Sequence, residues 1–482
     1  MPTPIVCLCR GLDAVVRRCL LPSTGMSLMT TAVATPLSSS DRTSDRPSAR
    51  FVLILGALIA IGPLTIDTYL PAFPSITTDL ETTSSAVQLT LTGTLIGLAL
   101  GQLLIGPISD AIGRRRPLVV GIAMHVVASL LCVVAPNIVT LGVLRVLQGV
   151  GVAATAVVTT AMVRDVASGV GAAKLLSRLM LVMGAAPVLA PTLGSQILRF
   201  TNWRGVFVAL AGLGLILAIV AVVALPETLK PEDRRSGGVI SSIRTYGSLF
   251  NDRVFVGLVL VTALSMGALF GYVAGSSFVF QDQYGLSEQQ FGFAFGAGSI
   301  ALIGGTQLNG LLLRWYQPRL ILATSLILGF GAGVALIVVA ATGAGGLVGL
   351  LIPMWGALGS AGLVLPNAPA LALSRHGEKA GAAAALLGAL QFAVGAVTAP
   401  LVGVLGVDAL AMATVVAGSL TLALLVLVAM VRPWGLTEAE LEAELVGSSS
   451  VGSSLVGSSS VGSSSEASST GASSTREAAL LH

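Results

Sequence analysis

The sequence predicts an all-α integral membrane protein with twelve transmembrane helices, divided six and six. Three observations carry that prediction. Of the 482 residues, 54% are hydrophobic and 10% charged, whereas an ordinary soluble domain has about 25% charged residues. Solvated surface is missing on that scale, so the solvent of this chain is largely lipid. Stretches with the roughly 20 apolar residues needed to cross hydrocarbon run near 51–73, 86–108, 117–135, 138–161, 177–198 and 204–225, then near 254–279, 290–313, 319–341, 346–371, 380–404 and 407–431. Finally, the cations of successive loops alternate between rich and poor.

Taken in order, residues 1–50 contain no span-length run and are Ser/Thr-rich, which predicts a disordered tail. Arg17 and Arg18 interrupt any signal-peptide core there. Six spans follow over 51–225, then a polar interval over 226–253, then six more over 254–431. The end, 432–482, repeats a short Gly/Ser unit and predicts a flexible tail. One set of loops collects Arg114, Arg115, Arg116, Arg164, Arg234, Arg319 and Lys379, and the other collects Asp79, Glu81, Asp282 and Asp408. The positive-inside rule therefore puts both termini in the cytoplasm of a multi-pass protein of the cell (inner) membrane. The net charge is +4, but the basic residues are spread over inter-helix loops rather than one patch, which argues against nucleic acid.

The chemistry lies in a few charged and kinked positions. Asp67 stands inside the first span, where a carboxylate costs roughly 2.5–3.5 kcal/mol on insertion scales. In span 4, "LRVLQGVGVAATA" buries Arg145, followed by Gln148. A cation in lipid needs a partner or a cavity, and Asp67 is the acid at similar depth. Asp67 and Arg145 are expected to face one polar cavity where proton uptake and substrate binding compete; the simpler reading is a static buried ion pair. Between spans 2 and 3, "GPISDAIGRRRP" sets Gly106, Asp110, Gly113, Arg114 and Arg115 at a tight cationic turn. Such a turn serves as a latch when its acid meets basic groups and a helix dipole on the neighbouring bundle. In span 5, "GAAPVLAPTLG" puts Pro187 and Pro191 on one face between Gly184 and Gly194, a kinked and tightly packed helix.

Candidates for a substrate cavity are Tyr69, Gln148, Tyr272, Gln307, Asn309, Asn367 and Gln391, polar side chains inside apolar spans. For any one of them interhelical hydrogen bonding is the simpler reading. Three histidines in total, and no Ser/His/Asp, Cys/His or metal-ligand constellation, argue against an enzyme and imply no cofactor and no metal.

Together these motifs resemble the major facilitator superfamily. "GPISDAIGRRRP" is similar to its loop 2–3 motif, "LRVLQGVG" to its helix-4 arginine motif and "GAAPVLAPTLG" to its antiporter helix-5 motif. More narrowly, "TIDTYLPAFPSI", "MVRDVAS", "NWRGVF", "YGLSEQQFGFAF" and "LPNAPALAL" resemble the bicyclomycin/chloramphenicol resistance (Bcr/CflA) group of drug:proton antiporters. The resemblance spans about 50–430 and implies two six-helix bundles around a central cavity, alternating access, and monomeric efflux of lipophilic small molecules driven by protons. It places proton and substrate roles on Asp67 and Arg145 and a latch role on Asp110, Arg114 and Arg115. One departure is Gly298, where relatives commonly carry a polar residue. The competing readings are an exporter or symporter of an endogenous metabolite or siderophore, and a non-transporting membrane sensor.

Overall fold

The computed structural model describes residues 49–167, 169–234 and 238–432. The expectations for the two tails therefore lie almost wholly outside the described residues. Those residues hold twelve helices long and apolar enough to cross a membrane, and no strand. They are built from α1 (Ala49–Asp67), α2 (Phe73–Asp79), α3 (Ser84–Ile112), α4 (Arg115–Val133), α5 (Ile138–Val166), α6 (Gly169–Leu198) and α7 (Trp203–Ala224) in the first half. A short helix, α8 (Gly238–Leu249), follows. The second half contains α9 (Arg253–Phe278), α10 (Glu288–Leu312), α11 (Pro318–Thr342), α12 (Gly346–Ser374), α13 (Ala380–Leu405) and α14 (Ala409–Val426).

The two halves pack by one scheme. In the first, α3 lies on α5, α4 on both α5 and α7, and α1 on α5, α6 and α7. In the second, α10 lies on α12, α11 on both α12 and α14, and α9 on α12, α13 and α14. The halves meet where α3 packs on α13 and α6 packs on α10.

Local sequence sets the helix ends. Thr83, Asn137, Asn202, Asp252 and Asp408 each accept a backbone N–H from the first turn they precede, and Ser287 forms a reciprocal capping box with Gln290. The first membrane segment breaks after Asp67 because Pro71 has no N–H for the Asp67 carbonyl, four residues back. A single 3₁₀ turn, Leu70–Ala72, joins α1 to α2. Asp67 thus sits at the break of a helix rather than in its interior.

The polar interval 226–253, read from sequence as a loop, contains α8. That helix packs on both α3 and α13, one from each half.

Candidate transport site

Asp67 is 5% exposed, and its carboxylate makes no ion pair or hydrogen bond among the described residues. The backbone around it is pinned from three directions. Arg145 of α5 donates from Nη1 and Nη2 to the Thr65 carbonyl, both at 3.2 Å. At Gly194 of α6 the two backbones come so close that an added Cβ would stand 2.0 Å from the Thr68 oxygen. From the other half, Ser277 of α9 donates to the Leu70 carbonyl at 2.7 Å, and Gln281 to the Pro71 carbonyl at 3.3 Å.

Arg145 itself is fully buried. Besides Thr65 it donates to Gln148 Oε1 at 2.5 Å, and its guanidinium lies 4.6 Å from the Tyr69 ring centroid and 5.7 Å from that of Phe207. The static ion pair between Asp67 and Arg145, the simpler reading, is therefore not formed among the described residues. A carbonyl, an amide and two aromatic faces surround the cation instead. Gln148 passes the chain on to Ser129 at 2.7 Å.

Two of the cavity candidates turn out to be packing residues. Tyr69 has no exposure, lies under Arg145 and shares a hydrogen bond with Thr90. Gln148 is equally buried within the Arg145 network. Asn309 and Asn367 bind each other, Nδ2 to Oδ1 at 2.6 Å, as interhelical partners between α10 and α12. Gln307 is exposed and Gln391 half-buried. Tyr272 stacks on Phe295 with centroids 5.0 Å apart, and its buried hydroxyl has no hydrogen-bond partner among the described residues. Gly298 leaves room for that hydroxyl, since an added Cβ would meet it at 2.6 Å.

The helix-5 motif faces the other half. Pro191 has no N–H for the Pro187 carbonyl, and Ser299 of α10 donates its hydroxyl there at 3.3 Å, shared with its own Phe295 carbonyl. At Gly184 an added Cβ would meet Ile303 of α10 at 3.6 Å, an ordinary contact.

The turn at 106–117 forms a network at the opposite end of the bundle from the Asp67 break. Arg114 pairs with Asp110 one turn back and, from Nε at 2.9 Å, with Asp165 at the end of α5. Burial works against the Arg114 charge, but Asp165 and Asp110 outweigh it and hold the guanidinium above its ordinary range. Glu227 accepts the backbone N–H groups of Arg114 at 2.7 Å and Arg115 at 3.2 Å, capping α4 with an acid. Arg115 donates its side chain to the Val222 carbonyl. Gly113 adopts φ 97°, a left-handed value, and an added Cβ would stand 2.5 Å from Glu227. Gly106 has no such close neighbour. Among the described residues the expected pairing of this turn with the neighbouring bundle is not formed: its groups meet Asp165 and Val222 of the first half and Glu227 of the 226–253 interval.

Sequence reasoning missed Asp165, Glu227 and Ser299. An acid in the last turn of a helix opposes the dipole, so Asp165 could have been flagged as wanting a cation. Ser299 carries no comparable signal, since hydroxyls in membrane helices are common.

The family profile described as Major Facilitator Superfamily matches residues 53–400. The chain belongs to the Major Facilitator Superfamily. Curated relatives include a Bacillus subtilis protein named "Uncharacterized MFS-type transporter YdgK", 39% identical over 73% of this chain and 88% of its own. A Haemophilus influenzae "Bicyclomycin resistance protein homolog" is 32% identical over 74% of this chain and 90% of its own. A Pseudomonas aeruginosa "Chloramphenicol resistance protein" is 32% identical over 64% and 72%. Among solved structures, a D-xylose-proton symporter superposes with TM-score 0.64 at 17% identity, covering 81% of this chain and all of that one. That likeness shows the fold. As a superfamily member of the bicyclomycin/chloramphenicol resistance type, the chain is a multi-pass membrane transporter of small molecules, not an enzyme.

Proposed function

We propose that this protein exports lipophilic small molecules in exchange for protons, with Asp67 as the proton-carrying group. One observation carries the reading: a buried carboxylate with no fixed cation stands at a helix break where both halves grip the same backbone. Intramembrane acids that lack a structural partner are functional by default. Without a permanent counter-ion, the charge state of Asp67 depends on which side its surroundings open to. A change of charge there acts on a segment held by Arg145 from one half and by Ser277 and Gln281 from the other. Arg145 then serves as the anchor of that segment rather than as the acid's counter-ion. The printed names of the bicyclomycin and chloramphenicol resistance relatives support the cargo class.

In this reading the proton gradient is the sole energy source, and the working unit is the monomer. Both termini lie in the cytoplasm, on the side of the Arg114 network. One proton crossing the membrane potential releases about 2.3 kcal/mol per 100 mV, enough to drive uphill extrusion.

The test is transport of chloramphenicol and bicyclomycin by the full chain in proteoliposomes under an imposed pH gradient. Gradient-driven movement that Asp67→Asn abolishes is the expected result. Movement indifferent to the gradient would overturn antiport, and no movement of any cargo would favour the sensor.

A further inference from the structure

The Arg114 network pairs within the first half and the 226–253 interval, so the joining of the two halves at that end falls to the packing of α3 on α13 and to α8. The α8 helix packs on both of them, and its Tyr246 has contacts in both directions. Its ring packs against a hydrophobic cluster of α8 and the second half that includes Leu249, Phe255, Leu386 and Leu387. Its hydroxyl donates at 3.1 Å to the carbonyl of Leu103 in α3, in the first half. That carbonyl is free because Pro107, four residues on, has no N–H to occupy it. The acceptor is thus created by the proline of "GPISDAIGRRRP", the stretch first read as a latch through its charges.

Other contacts hold α8 to the second half. Lys379 donates to Ser248 at 3.0 Å, and Arg375 pairs at 2.8 Å with Asp252, three residues past the helix. The strap is therefore fastened by charged and polar contacts on one side, and on the other by packing on α3 together with the neutral hydrogen bond at Tyr246. Burial, and then the nearby Asp110 charge, raise the Tyr246 hydroxyl above its ordinary pKa, so it remains a donor across physiological pH.

We propose that Tyr246 is a positioning residue of the transport cycle: it straps the second half to the α3 carbonyl freed by Pro107 and so sets how readily this end of the protein opens. The proposal rests on alternating opening of the two ends, as in the function proposed above. It does not require Asp67 to carry the proton.

The test uses the full chain in lipid nanodiscs, with Cys7, Cys9, Cys19 and Cys132 replaced by Ser. Spin labels are placed at Arg116→Cys and Ser374→Cys, exposed positions on the two halves at this end. Tyr246→Phe removes only the hydroxyl. It should raise the population with the longer label separation by roughly two- to tenfold, the range that one net hydrogen bond supports. Pro107→Ala supplies an N–H to Leu103 from within α3. It should shift the same population in the same direction, and the double variant should fall short of the sum of the two. An unchanged distribution in Tyr246→Phe would overturn the proposal, as would full additivity with Pro107→Ala. Neither measurement needs cargo or a pH gradient. A failed Asp67→Asn experiment would leave them standing, and a failed strap would leave proton coupling intact.

Discussion

The two halves share one packing scheme but not one chemistry. In the first, the membrane core encloses Asp67, Arg145 and His125, all buried. In the second, the buried polar side chains within the described spans are neutral: Tyr272, Asn309 and Asn367, with hydroxyls such as Ser277 and Ser299. The scheme of helix contacts is repeated almost pair for pair, so packing alone does not call for the charges. Charge in hydrocarbon is expensive. Its confinement to one half separates the labour: the first half holds the group that changes state, and the second supplies neutral hydrogen bonds that sense where the first half's backbone lies.

The largest expected effect follows from that division. Asp67→Asn should cut gradient-driven flux at least about tenfold, which is 1.4 kcal/mol or more of lost coupling. Tyr272→Phe, which removes the unpartnered hydroxyl on the other side, should change flux far less. Parallel measurements of initial rates in proteoliposomes decide it. Equal losses from the two variants would break the comparison, because the second half would then share the driving chemistry.

A steric pair comes next. An added Cβ would lie 2.0 Å from the Thr68 oxygen at Gly194, and 2.2 Å from the Gly359 oxygen at Gly305. Both alanine variants should lose roughly 1–3 kcal/mol of stability, the usual cost of overpacking, read from thermal unfolding in detergent. Gly194→Ala should also lose transport, because its backbone neighbour is the segment carrying Asp67. Gly305→Ala, between α10 and α12 of the neutral half, should keep transport at temperatures where it remains folded. Arg145→Lys sharpens the point from the charged side. A lysine keeps the charge but loses the planar fork that meets Thr65 and Gln148 together. A loss of about 1–3 kcal/mol from the unpartnered carbonyl and amide is expected, although no ion pair with Asp67 is being broken.

The spans could be read from the sequence because they depend on residue type alone, as apolar runs of fixed length, whereas the break at Asp67 falls inside a run that reads as one continuous span, although Pro71 and Pro74 mark it. Asp67 and Arg145 stood out as charges in lipid. Their pairing did not follow, because the acceptor that Arg145 chose is the Thr65 carbonyl, and every residue has a carbonyl. Ser299, Tyr246 and Ser277 escaped for the same reason, each donating to a backbone oxygen that no side chain marks. The α8 helix was hidden differently. Its sequence, "GVISSIRTYGSL", is too short to span and carries two glycines and three serines, so packing on α3 and α13 rather than propensity accounts for it. In the 106–117 turn the latch residues were visible, but the partner half was misassigned. Asp165 and Glu227 lie 51 and 113 residues from Arg114, and only the fold brings them there.

The smallest expected effect compares the two halves at the Arg114 end. There the first half buries a cation between two acids, whereas the second has a more exposed group in which Asp252 caps α9 and meets Arg375 at 2.8 Å and His376 at 3.3 Å. Burial works against the Asp252 charge. Arg375 and the N–H groups of Phe255 and Val254 outweigh it, holding the carboxyl below its ordinary value of 3.8. A depressed carboxyl contributes stability above the unfolded value, and that contribution disappears as pH falls through the lower, folded one. Asp252→Asn keeps a capping side chain but removes the charge. It should cost about 0.5 kcal/mol near neutrality, in the range of a partly exposed pair, and the gap from the parent should close on acidification below pH 3.8. Unfolding midpoints of parent and variant across an acid series check this. The absence of a gap near neutrality would mean that Asp252 acts through its cap alone, leaving the first half as the one with working charge at this end as well as in the core.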